Sequence, residues 1–185
     1  MAATQRDELL GRITDHVLEH GLIGLSLRPV AAAVGTSDRM LIYHFTSRDA
    51  LVSAVVARAT QIAVDEVNAL PGAATVRSGV NRLWAAYRTR PLSRCLDVYC
   101  QAAATGLIGR EPYLTDARAS NEVWAGALRE YVARCGAPRR RVGRIVTLVD
   151  SALYGFHLDL ATDRPAELSR GVDDLAVAAQ AIADA

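Results

Sequence analysis

The side chains best suited to chemistry fall in one stretch, Leu25 to Leu51, which reads LSLRPVAAAVGTSDRMLIYHFTSRDAL. Arg28 and Arg39 carry planar forks of donors that fit a guanine edge or a phosphate. Asp38 suits either a cytosine amino group or the positive first turn of a helix, and the sequence does not choose between them. Thr36, Ser37 and Arg48 supply hydroxyls and a cation of the kind that bind backbone phosphates, and Ile42 offers an aliphatic surface of the kind that packs on a thymine methyl. Elsewhere the chain predicts no enzyme and no cofactor. Asp150, Ser151, His157 and Asp159 read as ordinary residues on a helix and at its end, and no glycine loop is built to cradle phosphates. Cys95 and Cys100 have no zinc spacing, and His44 has no second ligand nearby, so no metal is expected; Cys95, Cys100 and Cys135 read as small buried hydrophobes.

Local sequence says how these groups are positioned. Ser26 is expected to cap a short helix through its hydroxyl, with Pro29 at the third helical position, where no intrahelical partner is lost. Ala31, Ala32 and Ala33 keep that helix thin, and Gly35 suits a left-handed terminator. Ser37 caps a second helix of about Asp38 to Tyr43. On it Leu41 and Phe45 point inward, leaving Asp38, Arg39, Ile42 and Tyr43 outward. Arg48 and Asp49 open a third. Helix, glycine turn and helix is the helix-turn-helix pattern, whose second helix enters a DNA major groove. On spacing alone an ordinary αα-hairpin inside a helical bundle fits equally well.

The residues add a resemblance. Gly21, Leu25-Ser26-Leu27-Arg28, Val30-Ala31, Gly35-Thr36-Ser37, Leu41, Tyr43-His44-Phe45 and Ser47-Arg48-Asp49 before Leu51 resemble the N-terminal DNA-binding domain of TetR-family transcriptional regulators. They align without gaps over roughly Leu9 to Leu51. The resemblance implies that Arg28 touches a base edge or phosphate, and that Tyr43 and His44 form a phosphate-contacting pair. For His44 a packing or capping role is the other reading. Ile42 departs from the tyrosine that the family often carries there.

Composition frames these expectations. The 185 residues include 51% hydrophobic ones, ample for a core, with no apolar run of membrane-spanning length. MAATQRDELLGR lacks the order of a signal peptide, so a cytoplasmic protein is expected. Net charge is +1, and all 21 basic residues are arginine. From Met1 to Ala50 five arginines face six acidic residues, a balance of −1, which predicts weak non-specific DNA binding.

Thr4 to His20 reads as a helix with the apolar stripe Leu9, Leu10, Ile13 and Val17. A long helix from Arg48 to about Leu70 ends at Pro71-Gly72. Further helices carry Val76 to Tyr87, Leu92 to Ala103, and Leu114 to Tyr131. Pro138 is expected to start another, with Arg139, Arg140, Arg141 and Arg144 near its beginning, and a polar loop of Thr162, Asp163 and Arg164 leads to the last. The predicted fold is therefore all-α, with about nine helices. The resemblance implies that a three-helix helix-turn-helix domain (1–47) is followed by a helical bundle (48–185) for ligand binding and dimerisation. The resemblance implies an inducer pocket among the helices carrying Trp84, Tyr87, Tyr99, Trp124 and Tyr131, which suit a hydrophobic or aromatic small molecule. It also implies a homodimer through the two C-terminal helices, reading a palindromic double-stranded operator. The expected function is a ligand-responsive transcriptional regulator, a repressor released by its inducer. The alternative is a small-molecule or lipid carrier whose head no longer reads DNA.

Overall fold

The computed structural model describes residues 4–162 and 164–185, and the side chain of Pro165 lies outside it, as does Asp163 of the expected polar loop. Among the described residues there are nine α-helices and no strand: α1 (Gln5–His20), α2 (Leu27–Ala33), α3 (Asp38–Phe45), α4 (Arg48–Ala69), α5 (Val76–Tyr87), α6 (Leu92–Leu107), α7 (Tyr113–Arg134), α8 (Val142–Asp159) and α9 (Pro165–Asp184). No described helix is long and apolar enough to cross a membrane.

The chain divides into two compact units. One comprises the residues up to Ala63 together with Arg94–Val123; the other comprises Val64–Ser93 and Trp124–Ala185. In the first, α1 starts on a capping box. Thr4 Oγ1 accepts from the Asp7 N–H at 3.2 Å while the Asp7 carboxylate accepts from the Thr4 hydroxyl and N–H, and the hydroxyl bond first, then the N–H bond, hold the Asp7 carboxyl below the usual range. The α1 stripe of Leu9, Ile13 and Val17 is buried, and the same unit buries Leu22, Leu25, Val30, Leu41, Phe45 and Leu51. Each such side chain contributes roughly 1.5–3 kcal/mol, so the short α2 and α3 are held by this core more than by their own propensity.

In the second unit α9 packs on both α5 and α8. Here two arginines hold the turn after α4. Arg134 donates to the carbonyls of Val67, Asn68 and Leu70 at 3.2–3.4 Å, and Arg82 donates to Pro71 O and Gly72 O at 2.8 and 2.7 Å. Gly79 is required by close packing: a Cβ there would lie 2.6 Å from Cys135 Sγ.

Two local expectations fail. Ser26 occupies the N-cap of α2 but makes no side-chain cap bond. Pro138 does not start α8; residues 138–141 form a turn closed by Arg141 N–H to Pro138 O at 2.7 Å, and the helix opens at Val142. Three consecutive arginines after the proline gave no capping side chain, so the first turn has none.

Candidate functional site

The α2–α3 pair is set by its turn. Gly35 has φ +70°, a conformation that a side chain resists, and Thr36 N–H donates to Ala31 O at 2.9 Å as the chain leaves α2. Arg12 on α1 reaches the same turn and donates to Val34 O at 2.9 Å. Ser37 then caps α3, its Oγ accepting from Met40 N–H at 3.2 Å.

α3 is pinned at its far end as well. Arg6 donates through Nε to His44 O at 3.2 Å, and its guanidinium stands 4.9 Å above the Phe45 ring. Beyond Phe45 the chain turns on Thr46, at φ 64° and ψ −39°, with Ser47 N–H donating to Phe45 O at 2.7 Å. A β-branched residue at such a φ carries strain of roughly 1–3 kcal/mol, held by the packing on either side.

With Leu41 and Phe45 buried, the opposite face of α3 is left to solvent: Asp38, Arg39, Ile42 (41% exposed) and Tyr43 (76%). Arg28 on α2 is exposed too, and the Arg28 and Arg39 side chains have no hydrogen bond or ion pair with the described residues. Asp38 Oδ1 accepts from Arg39 N–H at 2.9 Å, which places its charge at the α3 N-terminus. Thr36 is half-buried and Ser37 exposed. Of the nine residues singled out in this segment, six are thus exposed, and Thr36, His44 and Arg48 are half-buried.

Arg48 and His44 are placed differently. Arg48 Nε donates to Leu25 O at 2.8 Å, and its terminal nitrogens meet Tyr113 Oη at 2.9 Å and Asp49 Oδ1 at 3.1 Å. These partners tie the start of α4 to the loop before α2 and to the start of α7. The Tyr113 and Asp49 bonds raise the Arg48 pKa against the desolvation that opposes them. His44 stacks edge-on against Tyr43 at 5.0 Å, but its Nε2 is buried with no partner, so that nitrogen does not face solvent.

Arg6 and Arg12, which orient α3, carried no signal in the sequence, because their partners are backbone carbonyls 38 and 22 residues away. The same holds for Gln101 on α6. Its Oε1 accepts from the N–H groups of Leu22 and Ile23, at 2.7 and 2.9 Å, and so fixes the turn after α1.

Of the five aromatic residues expected around a ligand, Trp84, Tyr87, Trp124 and Tyr131 fall in the second unit and are buried, whereas Tyr99 is half-buried in the first. Tyr87 packs against Trp84, Trp124 and Tyr154 with ring centres 6.0–6.4 Å apart. Trp124 Nε1 donates to Asp150 Oδ1 at 2.8 Å, and Tyr131 Oη donates to Gly79 O at 3.0 Å. The void beside Tyr131 measures only about 10 Å³. A groove of about 240 Å³ runs between α4 and α7 in the first unit, and none of the five aromatics lines it.

No curated protein matches the chain. A family model described as "Bacterial regulatory proteins, tetR family" matches residues 17–55, the segment that contains α2, the turn and α3. Among solved structures, a transcriptional regulator from Rhodococcus sp. Rha1 superposes with a TM-score of 0.73 at 19% identity, covering 98% of this chain and 99% of its own. The multidrug binding protein EbrR complexed with ethidium gives a TM-score of 0.65 at 22% identity, over 93% of this chain and 96% of its own. PfmR, a TetR family transcriptional regulator from Thermus thermophilus, gives 0.55 at 18% identity, over 98% and 97%. At these identities the superpositions speak for the fold, and the matched segment supplies the signature. Residues 17–55 thus carry the signature of the tetR family of bacterial regulatory proteins, within a chain whose all-helical fold is that of the solved regulators it resembles.

Proposed function

We propose that this protein is a ligand-responsive repressor that binds a palindromic double-stranded operator and is released by a hydrophobic or aromatic small molecule. One observation carries the reading: α3 is held at both ends by Arg6, Arg12 and the Ser37 cap, and presents Arg39, Ile42 and Tyr43 outward on a single face. A helix fixed in this way costs little ordering entropy when it enters a major groove. In this reading Arg39 and Ile42, with Arg28 from α2, set base preference, and Asp38 tunes it. Thr36, Ser37 and Tyr43 hold phosphates, with His44 and Arg48 as positioning residues behind them. Residues 1–47 form the reading head and 48–185 the regulatory and dimerising body.

Support for a ligand is less direct. EbrR, similar in fold, is a multidrug binding protein complexed with ethidium. The packed cluster of Trp84, Tyr87, Trp124 and Tyr131 would have to open to admit a comparable molecule. A homodimer through α8 and α9 accounts for Leu148, Leu158 and Val177, which stand exposed on those two helices.

The test is fluorescence anisotropy on the DNA upstream of the protein's own gene, across a salt series, with the Arg28→Ala/Arg39→Ala double variant alongside. Saturable binding at roughly 10⁻⁸ M, lost in the double variant, is expected. If Arg28 and Arg39 are the phosphate and base cations of each head, a dimer neutralises at most about four phosphates. The slope of log K against log salt should then lie near −4 or shallower, at about −0.9 per phosphate. Equal, weak binding to unrelated DNA from either variant would overturn the reading and leave a carrier with a silent head.

A further inference from the structure

We propose that the groove between α4 and α7 is a binding site for a small organic ammonium ion with an apolar body. This goes beyond the operator reading and stands whether or not the head binds DNA. All of the groove's lining belongs to the unit formed by residues up to Ala63 and Arg94–Val123, and its volume is about 240 Å³. That is below the range of sites for drug-sized ligands, and suits roughly ten heavy atoms.

Val56 from α4 and Val123 from α7 give the groove apolar walls, while Ser53 and Thr60 face Asp116 and Ser120 across it. The Thr60 and Ser120 hydroxyls lie 2.8 Å apart, and Ser53 Oγ donates to Asp116 Oδ2 at 2.8 Å. Asp116 is half-buried and has no salt-bridge partner among the described residues. A carboxylate has about four acceptor positions, and one hydroxyl satisfies one of them. Burial, together with the charge of Glu111, pushes its carboxyl pKa up, and a cation brought alongside opposes both by favouring the ionised form. An ammonium supplies the missing donors and the missing charge together, as charge-assisted hydrogen bonds, and leaves its hydrocarbon body against the two valines. A neutral alcohol of the same shape supplies neither the charge nor more than one donor.

The location gives binding a consequence. Ser53 lies on α4 little more than one turn after Arg48, whose guanidinium holds both the loop before α2 and Tyr113 at the start of α7. A ligand spanning Ser53 and Asp116 therefore ties α4 to α7 next to the attachment that orients α2 and α3.

The experiment uses the full chain and two probes of equal size, 2-phenylethylammonium chloride and 2-phenylethanol. Affinity is read by calorimetry and location by hydrogen exchange. The ammonium ion should bind at least about tenfold more tightly than the alcohol, protecting residues 53–61 and 116–123. Asp116→Asn, which keeps an acceptor for Ser53, should remove the preference. Ala119→Leu, which fills the groove from an exposed lining position, should remove binding of both probes. Equal affinities, a preference that survives Asp116→Asn, protection confined to other segments, or no binding at all would each overturn the proposal.

Discussion

Gln101 offers the sharpest test of how the N-terminal helices are held. Its carbonyl oxygen accepts two backbone N–H bonds, from Leu22 at 2.7 Å and from Ile23 at 2.9 Å. Because both partners are donors, the amide orientation is fixed by the bonding itself. In Gln101→Ala the two N–H groups fare differently. Leu22 is 0% exposed, so its N–H loses a partner that water cannot replace, at a cost of about 1–3 kcal/mol. Ile23 is 70% exposed and its N–H rehydrates, leaving a loss of about 0.5–1 kcal/mol. The sum is about 1.5–4 kcal/mol, felt in the unit that contains α1, α2 and α3. Gln101→Glu keeps the acceptor and should stay within about 1 kcal/mol of the parent. Urea denaturation gives the stabilities, and hydrogen exchange at Leu22 shows whether the damage is local. If Gln101→Ala changes stability by less than about 0.5 kcal/mol, or if Gln101→Glu is equally harmful, the accounting of the two N–H groups is wrong.

Other perturbations test separate parts of the fold. Thr14 is 0% exposed and its Oγ1 has no partner, so Thr14→Val, nearly the same shape, should stabilise the chain by about 1 kcal/mol in urea titration; a loss would mean that the hydroxyl is bonded. Gly79→Ala places a Cβ 2.6 Å from Cys135 Sγ and should cost about 1–3 kcal/mol, partly recovered when combined with Cys135→Ala; the absence of any recovery would place the strain elsewhere. The Asp150 carboxyl pKa is raised by burial, which the Trp124 bond only partly opposes, so the ionised form is disfavoured in the folded chain. Its favourable contribution is complete below the unfolded carboxylate value near 3.9 and is lost as pH rises through the higher folded value. Asp150→Asn, which keeps the acceptor for Trp124, should therefore be more stable than the parent at pH 7, with the gap closing toward pH 4; a gap independent of pH would refute this.

What the sequence disclosed and what it hid follow from the range of the interactions. The α3 face was legible because Ser37, Leu41 and Phe45 act within a few residues of one another, through a cap and an i,i+4 pair. The Ser26 cap was legible as a position but not as a bond, since residue type names a donor and acceptor and not the rotamer that uses them. Arg48 shows the same gap at longer range: its cation was evident, yet its partners Leu25 O and Tyr113 lie 23 and 65 residues away. The aromatic residues of the body could be picked out by type. Their sorting, with Trp84, Tyr87, Trp124 and Tyr131 in one unit and Tyr99 in the other, depends on helix packing that periodicity does not encode. The groove between α4 and α7 was hidden for a related reason. Ser53, Thr60, Asp116 and Ser120 are unremarkable on their own helices and become a site only when those helices meet.

The acidic balance of the N-terminal segment and the bracing of α3 belong to one physical picture. With five arginines against six acidic residues up to Ala50, and Arg6, Arg12 and Arg48 each donating to a backbone carbonyl, only Arg28 and Arg39 stand without a bonded partner among the described residues. A head of this kind gains little from diffuse attraction, which is the part of DNA affinity that any sequence receives. What it has instead is geometry: three guanidiniums that would otherwise be generic phosphate ligands fix the turn, the helix end and the start of α4. In the proposed reading the protein thus gives up non-specific affinity, and in return the orientation of Arg39 and Ile42 is settled before DNA arrives. Discrimination between sites then rests on a larger share of the total binding energy, because the share common to all sites has been made small.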